Sequence, residues 1–287
     1  AAAAAGALEN LLLTDATDEG RPLLLPAQVI PPLLQLLLDP DTDASVRDAA
    51  IGALEGAAQS DDARLLIGAL GAVPVLVELV RAGRAPGATG AHTASAALAA
   101  GLLETLAVQP RNAEQMVEEG LPRELCGYLQ QAAISAERSH GHEAAAGVLC
   151  NLALTPVHRS AVVAAGAVPL LLQLLLPSDG DLAAVGAAAN ALKNVALGDS
   201  VCQRAVLEAG GEAAVAKAIA TLPLDTDIVK TLREALAAAR RASSDGDDRS
   251  GTEANGTDLP SPATEFAART DAANGGEADQ APPPSTT

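Results

Sequence analysis

Ala144-Ala145-Ala146-Gly147-Val148-Leu149-Cys150-Asn151-Leu152-Ala153, followed by Gly166-Ala167-Val168-Pro169-Leu170-Leu171-Leu172, is the stretch that decides the fold. The first block is built of strong helix formers with one polar residue near its end. The second opens on a glycine, which accepts a left-handed backbone and stops a helix, and then places a proline where the first turn of a new helix tolerates one. Both blocks recur. The glycine block returns at Gly71-Ala72-Val73-Pro74, Gly120-Leu121-Pro122 and Gly210-Gly211, with Gln28 in the glycine's place before Val29-Ile30-Pro31. The alanine block returns at Ala2–Leu11, Ala49–Ala57, Leu98–Ala107 and Ala187–Ala196. Its polar column runs Asn10, Gly56, Thr105, Asn151, Asn194 and Ala238, at intervals of 43 to 49 residues. Two markers in step at that period predict an all-α solenoid of stacked helical repeats.

Composition agrees. Among 287 residues there are 66 alanines and 43 leucines but one Tyr, one Phe and no Trp, which excludes a β sandwich or barrel needing β-branched and aromatic inner faces. The formal charge of −18 argues against a nucleic-acid partner, since such proteins neutralise phosphates with a basic face, and favours basic partners. Cys126, Cys150 and Cys202 show no CxxC spacing and read as buried free thiols in a reducing compartment, so the expected location is the cytoplasm, with the nucleus second. The most apolar stretch, Ala161–Leu176, is interrupted by Gly166, Pro169 and Gln173, and no membrane span is expected. The chain opens at Ala1 rather than Met and on what reads as a lone third helix, which suggests a piece of a longer product.

The unit resembles the armadillo repeat: a first helix (Arg111–Glu119, Val157–Ala165, Ser200–Ala209), a glycine turn, a second helix (Val168–Leu176), and a longer third helix carrying Ala-Leu-x-Asn-Leu-Ala (Glu143–Leu154, Leu182–Leu197). Two-helix HEAT repeats are the nearest alternative, and the glycine break before a proline-tolerant second helix favours armadillo. The resemblance covers residues 1–241: a partial repeat at 1–13 and repeats at about 14–59, 60–108, 109–154, 155–197 and 198–241, with the third helix of the last, Asp227–Arg241, more polar and reading as a cap. Repeats two and three carry extra residues between second and third helices, expected as flexible surface loops at 81–90 and 133–141. From 242 to 287 the chain turns to Ser, Thr, Gly, Pro and acids, nine acids against two bases, and reads as a disordered tail. Asn255-Gly256-Thr257, Ser244 and Ser261 match modification motifs of a kind common in such tails.

No phosphate-binding loop, nucleophile elbow or HExxH helix is present, so neither an enzyme nor a cofactor is expected. His140-Gly141-His142-Glu143 lacks a third ligand in register and reads as polar residues capping a third helix rather than a metal site, while His92 and His158 read as solvated. The armadillo resemblance implies that third helices line a concave groove and that the Asn column bonds the backbone of an extended peptide. Asn suits this role because its amide both donates and accepts, and the carry-over holds at Asn10, Asn151 and Asn194, with Gly56, Thr105 and Ala238 departing from it. The alternative role for Asn is to satisfy neighbouring backbone.

One turn earlier stand Gly6, Gly52, Gly101, Gly147 and Asn190, where nuclear-import adaptors of the family carry Trp. Binding of classical nuclear localisation signals is therefore not expected, and the glycines imply close approach of a helix or a ligand. Glu9, Glu55 and Glu104 precede the column, then Cys150 and Lys193, and Asp48 and Glu143 fall on nearly the same face, which makes the first half of the groove acidic. The expected peptide-binding set is Asn10, Glu55, Glu104, Thr105, Asn151, Asn190, Lys193 and Asn194, in a scaffold that binds other proteins through a basic, extended segment. Two alternatives use the same repeats: a nucleotide-exchange co-chaperone of the seventy-kilodalton heat-shock class, and the substrate-binding part of a U-box ubiquitin ligase lacking its catalytic domain.

Overall fold

A computed structural model describes residues 26–39, 41–135, 140–176, 182–222 and 227–247. The described residues form fourteen helices and no strand. In order these are α1 (Pro26–Leu38), α2 (Ala44–Ala57), α3 (Asp61–Ala69), α4 (Ala72–Gly83), α5 (Gly90–Leu106), α6 (Pro110–Glu118), α7 (Leu121–Ser135), α8 (His140–Leu152), α9 (Pro156–Ala164), α10 (Ala167–Leu174), α11 (Leu182–Ala196), α12 (Ser200–Glu208), α13 (Gly211–Thr221) and α14 (Asp227–Asp247).

Each first helix is short and ends at a glycine. Gly71 and Gly166 hold φ of 91° and 82°, and Gly120 and Gly210 repeat the conformation. A left-handed residue there lets the chain turn sharply with no Cβ penalty, so α3 meets α4 at 75° and α9 meets α10 at 83°. Gln28, the residue in the glycine's place in the first unit, makes no such break. The helix runs through it from Pro26 to Leu38 with Pro31 and Pro32 inside, because a side chain at that position makes the left-handed conformation expensive.

The helices stack in three columns. Third helices α2, α5, α8 and α11 pack successively on one another, second helices α1, α4, α7, α10 and α13 do the same, and first helices α3, α6, α9 and α12 form the third row. One continuous core runs through them, aliphatic almost throughout, from Ile30 and Leu33 to Leu232 and Ala239. The third helices bury many small residues (Ala96, Ala99 and Ala100 on α5, Ala145 and Ala146 on α8, Ala188 and Ala189 on α11), and the second helices bury larger Leu and Val, such as Val73, Leu76 and Val77 on α4.

The inserted residues of repeat two are shorter than the sequence suggests. Helix α4 extends through Gly83 and α5 begins at Gly90, leaving Arg84–Thr89 between them. Thr89 caps α5 in a capping box with His92, whose ring is exposed as expected. Arg84 and Arg81 both pair with Glu124 on α7, a carboxylate whose side chain is 10% exposed, so the root of this insertion is tied to the next repeat. In repeat three, α7 reaches Ser135 and α8 starts at His140. His142 corrects the expectation of a polar cap. It is 3% exposed, and its ring centroid lies 5.8 Å from that of Tyr128. The last helix continues past 241 to Asp247, while the partial repeat at 1–13 and the tail from 248 onward lie outside the described residues. No single described helix is long and apolar enough to cross a membrane.

Candidate functional site

The candidate site lies on the C-terminal turns of the third helices, the row that the armadillo resemblance implies as the inner face. The last carbonyls of an α-helix have no partner within it, and at one position each repeat solves this differently. The carbonyl of Cys150 accepts Nδ2 of Asn194 at 3.0 Å, and that of Glu104 accepts Nδ2 of Asn151 at 3.1 Å. Each Asn thus caps the third helix of the repeat before its own. Where the following column residue is Ala238, with no donor to give, the backbone closes on itself and Leu197 N–H reaches the carbonyl of Lys193 at 2.9 Å. Where it is Thr105, the hydroxyl turns to Gly101 of its own helix at 3.3 Å, and the carbonyl of Glu55 receives Ala58 N–H and the Gln59 amide instead.

Asn151 and Asn194 therefore have a neighbour-satisfying role, and it does not exhaust them. Each keeps its Oδ1 acceptor, and Asn151 a second N–H as well. Asn194 places Nδ2 3.4 Å from the Cys150 sulfur as well. Both asparagines are partly exposed, as are Thr105 and Glu104, whereas Asn190 is exposed and Asn10 lies outside the described residues.

The glycine column answers to the glutamates. Glu55 lies against Gly101, where a Cβ would sit 3.5 Å from its Oε1, and Glu104 lies so close to Gly147 that a Cβ there would overlap its carboxyl. Helices α5 and α8 thus each carry a notch that receives the glutamate of the repeat before it. The notch has an electrostatic consequence. Burial, then Glu143, then Glu55 push the Glu104 carboxyl up to about 7. Burial, with Glu104 adding to it, pushes the neighbouring Cys150 thiol up to about 11, and burial alone does the same to Cys126.

Lys193 belongs to a different arrangement. Its ammonium pairs with Glu234 of α14 at 2.5 Å and holds that carboxyl below the usual range, so the last interface carries an ion pair where those of α2 with α5 and α5 with α8 carry a glutamate over a glycine. The expected set thus divides: Glu55, Glu104 and Asn151 form one connected group across α2, α5 and α8, Asn194 continues it on α11, and Lys193 joins α11 to α14. An open cleft of about 400 Å³ lies elsewhere, between the α3–α4 turn and α6, with Arg111, Glu114, Gln115 and Glu118 on its wall. Sequence reading missed Asn112 on α6, which is buried over Gly68 and donates to the carbonyls of Arg64 and Leu106 at 3.0 and 3.2 Å. Its signal was present as a polar residue on the apolar face of a first helix.

No protein-family model matches the chain, and no curated protein matches it. Solved structures do. A designed armadillo repeat protein superposes with a TM-score of 0.68 at 22% identity, covering 83% of this chain and 92% of its own. A designed armadillo repeat protein in complex with the peptide (KR)4 superposes at 0.66 and 22% identity over the same shares. An engineered protein superposes at 0.67 and 24% identity, covering 84% of this chain and 90% of its own. The fold is that of an armadillo-type α-solenoid.

Proposed function

We propose that this chain is a protein-interaction scaffold that binds an extended, basic peptide segment along the inner face of its third helices. The observation that carries the reading is the line formed by Asn151, Asn194, Glu104 and Glu55: amides with an acceptor to spare, and at Asn151 a donor too, beside carboxylates at repeat spacing. An extended peptide presents alternating backbone donors and acceptors that such amides match, and Lys or Arg side chains answer the carboxylates. The designed neighbour solved with (KR)4 has the same fold and supports this occupant. The Lys193–Glu234 pair leaves the C-terminal end of the face nearer to neutral, so the basic residues of a partner belong over repeats one to three. Three free cysteines, two of them with thiols held well above neutrality, suit a reducing, cytoplasmic setting.

The test is a fluorescence-anisotropy titration of a labelled alternating Lys-Arg octapeptide against the full chain. Wild type should bind with salt-sensitive affinity, an alternating Glu-Asp octapeptide should not bind, and Glu55→Lys with Glu104→Lys should reduce affinity at least tenfold. Affinity unchanged by the double reversal would sink the acidic-groove reading. Loss on changing Asn151 and Asn194 to Ala, with the fold intact by circular dichroism, would place the peptide backbone on the amides.

A further inference from the structure

Glu104 stands at the centre of the third-helix row and takes its surroundings from both neighbours. Its carboxyl fills the notch at Gly147 of α8, its backbone carbonyl is held by Asn151 of the same helix, and Glu55 of α2 acts on it from the other side. The ionisable groups of α8 around it are Glu143 and Cys150. The remaining helices packed against α5, namely α3 and α4, contribute none of the charges acting on it among the described residues. Both charged neighbours are acids, and the interface withdraws the group from water. All three influences favour the protonated form, and together they bring its titration to about 7. A cation brought against the same carboxyl acts in the opposite sense.

We propose that Glu104 is a proton switch for the groove, holding its proton while the groove is empty and releasing it to solvent when a cationic side chain of a bound segment lies against it. The inference rests on the reading of the inner face as a site for basic segments and adds its regulation. Only an O–H bond breaks: the carboxylic acid becomes a carboxylate paired with the incoming ammonium or guanidinium, and the proton leaves to buffer. Binding then releases a proton, and affinity must rise with pH across neutrality. With the carboxyl fully ionised in the complex, the affinity at pH 6 is about tenfold below that at pH 8. Lys and Arg of the partner do not titrate in this window.

The experiment uses the full chain, the alternating Lys-Arg octapeptide, fixed ionic strength, and pH 6, 7 and 8. Anisotropy reads the affinity, and thermal unfolding without peptide reads Glu104 independently of any partner. Wild type should lose about tenfold in affinity from pH 8 to pH 6. Glu104→Gln, a neutral isostere of the protonated acid, should lose that slope and bind at pH 8 about as weakly as wild type does at pH 6. Without peptide, the melting temperature of wild type relative to Glu104→Gln should fall as pH rises from 6 to 8. Glu55→Gln, which keeps Glu104 and removes one like charge, should move the midpoint of the affinity profile to lower pH. A melting-temperature gap that stays constant from pH 6 to 8 overturns the switch while leaving peptide binding untouched, and so do equal affinity slopes in wild type and Glu104→Gln. A gap that shifts with pH while the peptide binds at no pH overturns the groove reading itself, and the switch with it.

Discussion

Gly101 and Gly147 occupy the same position one repeat apart, and a methyl group added to each meets different surroundings. At Gly101 it would make ordinary contact with Glu55, and at Gly147 it would overlap the Glu104 carboxyl. Alanine is the better helix former by about 1 kcal/mol, so Gly101→Ala should raise stability by about 0.5 to 1 kcal/mol. Gly147→Ala should lower it, and the pairing of Gly147→Ala with Glu104→Ala should recover most of the loss. Chemical denaturation of the four proteins forms a double-mutant cycle that measures the coupling directly. Asn151→Ala and Asn194→Ala should each cost about 1 kcal/mol by leaving a helix-end carbonyl without its donor. These pairings were half legible in the sequence. The glycine, glutamate and asparagine columns are visible as columns, but the partner of each residue lies in the next repeat, and only the stacking register shows that Glu104 meets Gly147 and that Asn151 meets the carbonyl of Glu104. Glu124 was not legible at all, because an acid on a second helix reads as solvated until Arg81 and Arg84 are seen to converge on it.

Among the elements, the glycine turns were read correctly wherever glycine was present, since the left-handed conformation is a property of the residue itself. Gln28, in the glycine's place, lies within helix α1 for the same reason. Helix bounds came within a few residues in repeats three to five, where proline or a capping residue marks the start. The end of α14 was placed too early, because Ser243, Ser244 and Asp245 weaken helix propensity without forbidding a helix. His142 was misjudged because a histidine in a run of polar residues carries no mark of burial, and the Tyr128 ring that covers it comes from the preceding helix of the repeat. At this scale the Arg81, Arg84 and Glu124 group is the testable joint between repeats two and three. Removing the carboxylate with Glu124→Ala should cost about 1 to 2 kcal/mol, less than a fully buried pair would, because the guanidiniums remain partly exposed to water.

For the whole molecule, a stack in which each repeat touches only its neighbours draws its stability from interfaces. Those between α2, α5, α8 and α11 are the most extensive, so hydrogen exchange should find the slowest amides in α5 and α8 and the fastest in α1 and α14. Equal protection from end to end would contradict this. Glu104 gives that stability a pH dependence of fixed sign. Its folded value, about 7, lies above the ordinary carboxylate value, so between the two the folded chain binds the extra proton. This contribution is greatest at the acidic end of that window and is lost as pH rises through 7.

The near absence of aromatic residues, which pointed first to helices, also fits this solenoid with its own optical reporter. Tyr128 is the one aromatic residue between Ala1 and Arg241, and it is 4% exposed, against His142 in the middle repeat. Its emission therefore reports a single place near the centre of the stack, while far-ultraviolet dichroism averages over every helix. If the outer repeats loosen first, the dichroism signal should begin to fall on heating before the tyrosine signal moves, and the interval between the two curves measures how far the repeats melt independently without any label being attached.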